Sequence, residues 1–285
     1  STATGNLTLQ SGAAITQTGA LSVTGNTSVS ATSTGDITLA AANTFTGNVT
    51  FDGANVSLRD TTQLTLSGNS TATGNLVLVA PGISQVSGRL TITGSSTVTS
   101  NGGQDINLNS ANNNFTGPFG FTGANVDLVS TAAFALATST ATGNLTIDAQ
   151  GGAISQTGTL SVTGTSSLTA AGDIILGLAN SLTDDVFFNG ANVTLNDTNS
   201  NLNITTGSSA TGNLAITSAG AITDGGTLTV GGNAGFTGTS ATLDGLAVTG
   251  TVGVSVTGDA TLVNATGLAL SASSIGGNLS ATATT

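Results

Sequence analysis

"STATGNLTLQ", Ser1–Gln10, opens the chain, and the phrase returns as "STATGNLVLV" at Ser70, "STATGNLTID" at Ser139 and "SSATGNLAIT" at Ser208. A phrase rewritten every 69 residues marks a repeat architecture and calls for a solenoid reading before any other. A shorter period lies inside the long one. Thr-Gly-Asn begins at Thr4, Thr24, Thr46 and Thr73, at spacings of 20, 22 and 27 residues. One long repeat then divides into three coils of about 23 residues.

Within a coil, short runs alternate. "NLTL" at Asn6 sets Leu7 and Leu9 on one face and Thr8 on the other. "DITL" at Asp36, "NVTF" at Asn48, "NVSL" at Asn55 and "QLTL" at Gln63 repeat the scheme. Period-two alternation over four or five residues is the mark of a strand with one buried face. Gly with Asn, Asp or Ala precedes most runs, and Gly and Asn tolerate the left-handed backbone that turns a corner. No 3.6-residue periodicity appears. The expected fold is all-β: a right-handed parallel β-helix, its coils stacked about 4.8 Å apart. About twelve such coils make a rod on the order of 60 Å long.

Register is testable inside the sequence. "GANV" at Gly53 recurs at Gly123 and Gly190. Phe51 then matches Phe121 and Phe188, Phe45 matches Phe115 and Leu182, and Val49 matches Phe119 and Val186. These positions change volume but stay apolar, as inward positions do. The chain reads as one continuous β-helical shaft over 1–285. Three repeats cover 1–69, 70–138 and 139–207, and a degenerate region covers 208–285. In that region "GAITDGGTLTVGG" from Gly220 still echoes "GAISQTGTLSVTG" from Gly152. Beginning and ending within a repeat suggests a piece of a longer protein.

Composition narrows function by exclusion. Charged residues are 5% of the chain, against roughly 25% in ordinary globular proteins. There is no Lys, Glu, His, Cys, Met, Trp or Tyr; the cations are Arg59 and Arg89, and every acid is Asp. A net charge of -11 argues against nucleic acid, whose recognition rests on Lys and Arg at phosphates. No apolar run reaches the 18 or so residues that span a bilayer, so membrane insertion is not expected. Regularly spaced aliphatics exclude disorder. No nucleophile–base pair can be assembled, so no enzyme and no cofactor is expected.

Asp184-Asp185 is the one adjacent acidic pair, in "LTDDVFF" where earlier repeats have "FTGNVTF" and "FTGPFGF". A corner substitution is the plain reading, and calcium held by these oxygens is the sharper one. No calcium nonapeptide of the form G-G-x-G-x-D occurs. Arg59 beside Asp60 suggests a surface ion pair worth little, and Arg89 an outward cation next to Leu90. Outward Thr explains the Thr-x-Thr runs better than an ice-binding array. Sequons at Asn6, Asn26, Asn48, Asn55, Asn144 and Asn192 follow automatically from Asn before an alternating strand.

"GAISQTGTLSVTGTSSLTAAGDIILGLANSL" and "TFTGNVTFDGANVSLRDTTQLTLSG" resemble the repeat region of filamentous-haemagglutinin-like proteins, bacterial exoproteins of the two-partner secretion kind. The resemblance weakens after Phe236 and carries no motif with an assigned active residue. It implies a β-helical fibre on the surface of, or secreted by, a Gram-negative cell, an outer-membrane transporter as partner, and a role in adhesion, aggregation or biofilm. The expected function is a structural shaft that presents a binding tip or builds a filament, self-associating end to end or side by side. The alternative is a binding module whose Thr and Asn columns contact glycan or a neighbouring fibre.

Overall fold

The computed structural model of the chain describes residues 1–199 and 201–284. Among them every secondary-structure element is a β-strand, and every strand pairing is parallel. Each strand lies on the corresponding strand of the preceding coil, so the fold is a parallel β-solenoid. The chain divides into two compact units, 1–143 and 144–285.

In the first unit one sheet carries Leu7–Gln10, Thr27–Ser30, Val49–Gly53 and Ser70–Ala72. The facing sheet carries Ile37–Phe45, Val56–Asp60, Leu76–Ala80, Ser96–Ser100 and Phe119–Gly123. The second unit is built alike. One sheet carries Leu145–Ala149, Ser166–Ala170 and Val186–Gly190; the other carries Ile174–Leu182, Val193–Asp197, Leu214–Ser218 and Ala234–Gly238.

Coil length varies. Leu7 pairs with Thr27 and Thr27 with Val49, advances of 20 and 22 residues. Val49 then pairs with Leu66, an advance of 17, and Ile83 with Ile106, an advance of 23. Advances of 20 recur most in both units. The expected coil of about 23 residues is therefore the upper end of the range. The 69-residue phrase spans three and a half coils, not three. The phrase strand Leu7–Gln10 accordingly lies in one sheet and its copy Leu76–Ala80 in the facing sheet. The second unit repeats the exchange with Leu145–Ala149 and Leu214–Ser218.

Alternate residues of each strand point between the sheets. Leu39, Leu58, Leu78, Val98 and Phe121 form one inward column in register, all buried. Burying each such side chain contributes about 1.5–3 kcal/mol. Phe45, Phe51, Phe115, Phe119, Phe121 and Phe188 are core, as the register argument requires. Phe115, Phe119 and Phe134 form a cluster with ring centroids 4.9–6.1 Å apart. Phe187 departs from the pattern: it follows Val186 on its strand, so alternation turns it outward and leaves it half-buried. Leu7, covered by chain on one side only, is also half-buried.

The structure explains the repeated phrase residue by residue. Its Ser is a plug: Ser70, Ser139 and Ser208 are buried, and their Oγ atoms accept the backbone N–H of Phe51, Phe121 and Phe188. Those amides sit where the next coil is interrupted by a turn, and a buried N–H without a partner would cost about 1–3 kcal/mol. Its Asn is a rung. Asn55 Oδ1 accepts the N–H of Asn75, and Asn75 Oδ1 that of Ser95. In the second unit Asn192, Asn213 and Asn233 pass the same bond along to Thr251. Three of these ladders start on Asp: Asp36 under Asn55, Asp105 under Asn125 and Asp173 under Asn192. The Asn55 backbone amide, then its side-chain amide, hold the Asp36 carboxyl below the usual value, and Asn192 does the same for Asp173.

Its Gly is needed for closeness, not handedness. The left-handed glycines are Gly68, Gly88, Gly103, Gly207 and Gly226, none of them in a Thr-Gly-Asn corner. A Cβ on Gly25, Gly74 or Gly94 would instead lie 2.5 Å from the Oδ1 of the Asn rung beneath. The expectation of a left-handed corner residue is thereby corrected. Gly is there because the ladder oxygen of one coil occupies the side-chain space of the next.

Candidate functional site

Three of the wide corners are closed by a pair of amide side chains. In the second unit the preceding coil breaks between Ile154–Gln156 and Leu160–Val162, while the strand Ile174–Leu182 runs across the break with a register shift between Leu176 and Asn180. Both sides of that break leave backbone groups without ladder partners. Asn180, fully buried, collects them. Its Oδ1 accepts from Leu160 N at 2.9 Å and from Gln156 Nε2 at 2.8 Å. Its Nδ2 donates to the carbonyls of Leu176 and Leu178 and to Gln156 Oε1. Gln156 in turn closes its own turn on Gly158 O and accepts from Leu178 N. Gln17 with Asn43, and Gln85 with Asn113, repeat the reciprocal amide pair in the first unit.

The fourth such corner uses a carboxylate. Asp224 stands in the place of the Gln, and its two oxygens accept from Asp244 N at 3.0 Å and Gly245 N at 3.1 Å. Burial pushes the Asp224 carboxyl up, against the pull of those two amides. These residues carry a signal in the sequence: "ITQTG", "ISQVSG", "ISQTG" and "ITDGG" recur upstream of an inward Leu. Period-two reading passes over them because they fall between strands.

The coil above each corner contributes one more buried polar residue. Asp60, Ser130, Asp197 and Asn264 accept the N–H of Phe45, Phe115, Leu182 and Val248. Asp60 Oδ1 also takes the N–H and hydroxyl of Thr62, but its buried Oδ2 has no partner. Burial raises its carboxyl above the usual value. The expected Arg59–Asp60 ion pair does not form. Neighbours on a strand face opposite ways, so Arg59 points to solvent and Asp60 to the core. Arg89 is exposed beside buried Leu90, as expected.

Asp184 and Asp185 lie on the bend between Ile174–Leu182 and Val186–Gly190. Asp184 is exposed, and its Oδ1 accepts the N–H of Asp185. Asp185 Oδ1 accepts from Asn203 Nδ2 at 2.6 Å. Both carboxylates thus serve local backbone and amide donors. Among the described residues no group of three or more His, Cys, Asp or Glu could hold a metal ion.

The outer surface of the second unit carries a shallow groove of about 510 Å³. Its floor is a column of small outward residues in register, Ala215, Gly235 and Gly253. Thr217, Thr237 and Ser255 form one rim, and the Asn213–Asn233–Thr251 ladder forms the other. Strand alternation alone does not reveal it, since the floor is made by side chains that are missing.

Repeats of unknown function (DUF5649) match residues 1–52, 53–122, 123–189 and 190–255. The chain belongs to this repeat family. Three of the matched repeats begin at Gly53, Gly123 and Gly190, the first residues of the "GANV" phrase. No curated protein and no solved structure matches the chain. No helix among the described residues is long and apolar enough to cross a membrane.

Proposed function

We propose that this array of DUF5649 repeats is a structural spacer, a shaft or filament segment of a bacterial cell-surface or secreted adhesin. One observation carries the reading: the buried chemistry of the chain is spent on joining coil to coil. Asn rungs, Ser plugs and Gln–Asn pairs satisfy backbone groups, and the outward residues are mainly short hydroxyls and amides. A non-catalytic role agrees with carboxylates that bond to neighbouring amides. End-to-end contact agrees with the last coil, where Leu270 and Leu279 are exposed although in register with buried Val252 and Ala260. That surface is one that another coil of the same kind would cover. Export through an outer-membrane transporter rests on the resemblance of the repeats alone.

The test is removal of residues 53–122, one matched repeat. The variant should keep its β-sheet spectrum and a cooperative melt, and imaged particles should shorten. Loss of folding, or a compact particle in both forms, overturns the spacer reading. The groove on the second unit supports the alternative of a binding face for an extended, hydroxyl-rich polymer such as a glycan. Gly235→Arg would fill its floor, where an added Cβ meets only the Leu214 carbonyl at 3.9 Å. Glycan retention by the parent chain, lost in that variant at unchanged stability, would favour binding over spacing.

A further inference from the structure

The Asn residues of this chain nearly all follow a glycine or precede a bulky residue. The reverse order, Asn-Gly, occurs at Asn101-Gly102 and Asn189-Gly190. The order matters chemically. The backbone nitrogen of the residue after an asparagine can attack the side-chain carbonyl, and glycine, with no Cβ, hinders that approach least. The attack also needs a backbone free to bend the nitrogen back toward Cγ and a carboxamide not held elsewhere.

The two sites differ on each count. Asn189 and Gly190 end the strand Val186–Gly190, in register with Ser209 and Ala210. Gly190 is buried, and Asn189 Oδ1 accepts the Ser209 hydroxyl at 3.0 Å. Reaction there requires the ladder to open first, and a strand bonded to the next coil opens rarely. Asn101 and Gly102 occupy an exposed turn after Ser96–Ser100, next to Gly103, which has a φ of +61°. Asn101 N donates to Ala80 O, and Ser100 Oγ anchors the far side of the turn through Gln104 N. Between these anchors the Asn101 carboxamide and the Gly102 N–H make no hydrogen bond among the described residues.

We infer that Asn101 is a site of spontaneous modification, converting to aspartate and isoaspartate through a cyclic imide, while Asn189 is protected by the fold. Gly102 N loses its proton and bonds to Asn101 Cγ. The Cγ–Nδ2 bond breaks, and the amine takes up a proton and leaves as ammonia. Water then opens the imide at either carbonyl, giving aspartate or its backbone-extended isomer. No oxidant or further reactant is needed. The product adds a negative charge four residues before Asp105, the ladder-starting carboxylate. The turn is exposed throughout, so the change leaves the core columns intact.

The experiment ages the purified full chain in mildly alkaline buffer for days and digests it with an acid protease, so that isoaspartate survives. Peptides containing each site are then weighed for replacement of NH by O. In the folded chain, conversion at Asn101 should outrun that at Asn189 by about tenfold or more, because the protected site reacts only through local opening. In denaturant the two rates should converge. Asn101→Gln should abolish the signal with an unchanged thermal melt. Equal rates in the folded chain, or faster conversion at Asn189, would overturn the proposal.

Discussion

Two corners of the second unit solve one problem differently. At 154–182 the break between short strands is closed by Gln156 and the buried amide of Asn180. At 222–248 it is closed by Asp224, whose oxygens reach directly to two successive amides. The first solution needs space, and the bridging strand bulges outward over Gly177, Leu178 and Ala179, all exposed. The second draws the strand in, so that Gly245 sits against the Gly226 carbonyl. The fold depends on every break being satisfied, not on which side chain does it.

The largest effect should come from breaking the amide closure. Asn180→Ala orphans the Leu160 amide, the carbonyls of Leu176 and Leu178, and the Gln156 side chain at once. We expect a loss of about 3 kcal/mol or more, read as a lower midpoint in denaturant. An unchanged midpoint would mean that water replaces the amide. Next is the tight corner. Gly245→Ala should cost about 2 kcal/mol by overlap, whereas Gly177→Ala, with nothing within 4 Å, should be neutral or stabilising by up to about 1 kcal/mol. Equal effects in paired thermal melts would erase the distinction between the corners.

A smaller effect tests transfer of one solution to another place. In the coil above the 222–248 corner, Asn264 donates from Nδ2 to the Val248 and Gly267 carbonyls, while Asp60 at the matching place leaves Oδ2 unpartnered. Asp60→Asn should therefore stabilise the chain near neutral pH by about 1 kcal/mol. The smallest effect separates the corners by pH. Asp224 has a folded pKa above its unfolded value, so the folded state holds the proton more tightly. Its stabilising protonation is fully present below the unfolded value near 3.8 and is lost as pH rises through the raised one. Asp60 behaves the same way, and Asp36 and Asp173 oppose both. The amide-closed corner at 154–182 has no such dependence. Asp224→Asn should flatten the fall in stability above that range; an unchanged slope would assign it elsewhere.

Period-two alternation made the strands, the core Phe columns and the parallel stacking legible in the sequence, because alternation and burial are the same fact in a strand. The coil length was less legible. Thr-Gly-Asn marks corners on both sheets, so its spacing mixes whole coils with coils carrying long turns, and the half-coil remainder disappears in the average. The roles of Gln156, Asn180 and Asp60 were not legible, since each bonds to backbone about a coil away. Arg59 was misread because adjacency in sequence places neighbours on opposite faces of a strand.

The odd number of half-windings per repeat has a genetic corollary. Tandem repeats in a gene gain and lose copies by unequal recombination. In this protein, losing one copy would reverse the flank on which every downstream feature is displayed, and losing two would restore it. Copy number would then act as a parity switch for display as well as a setting for length.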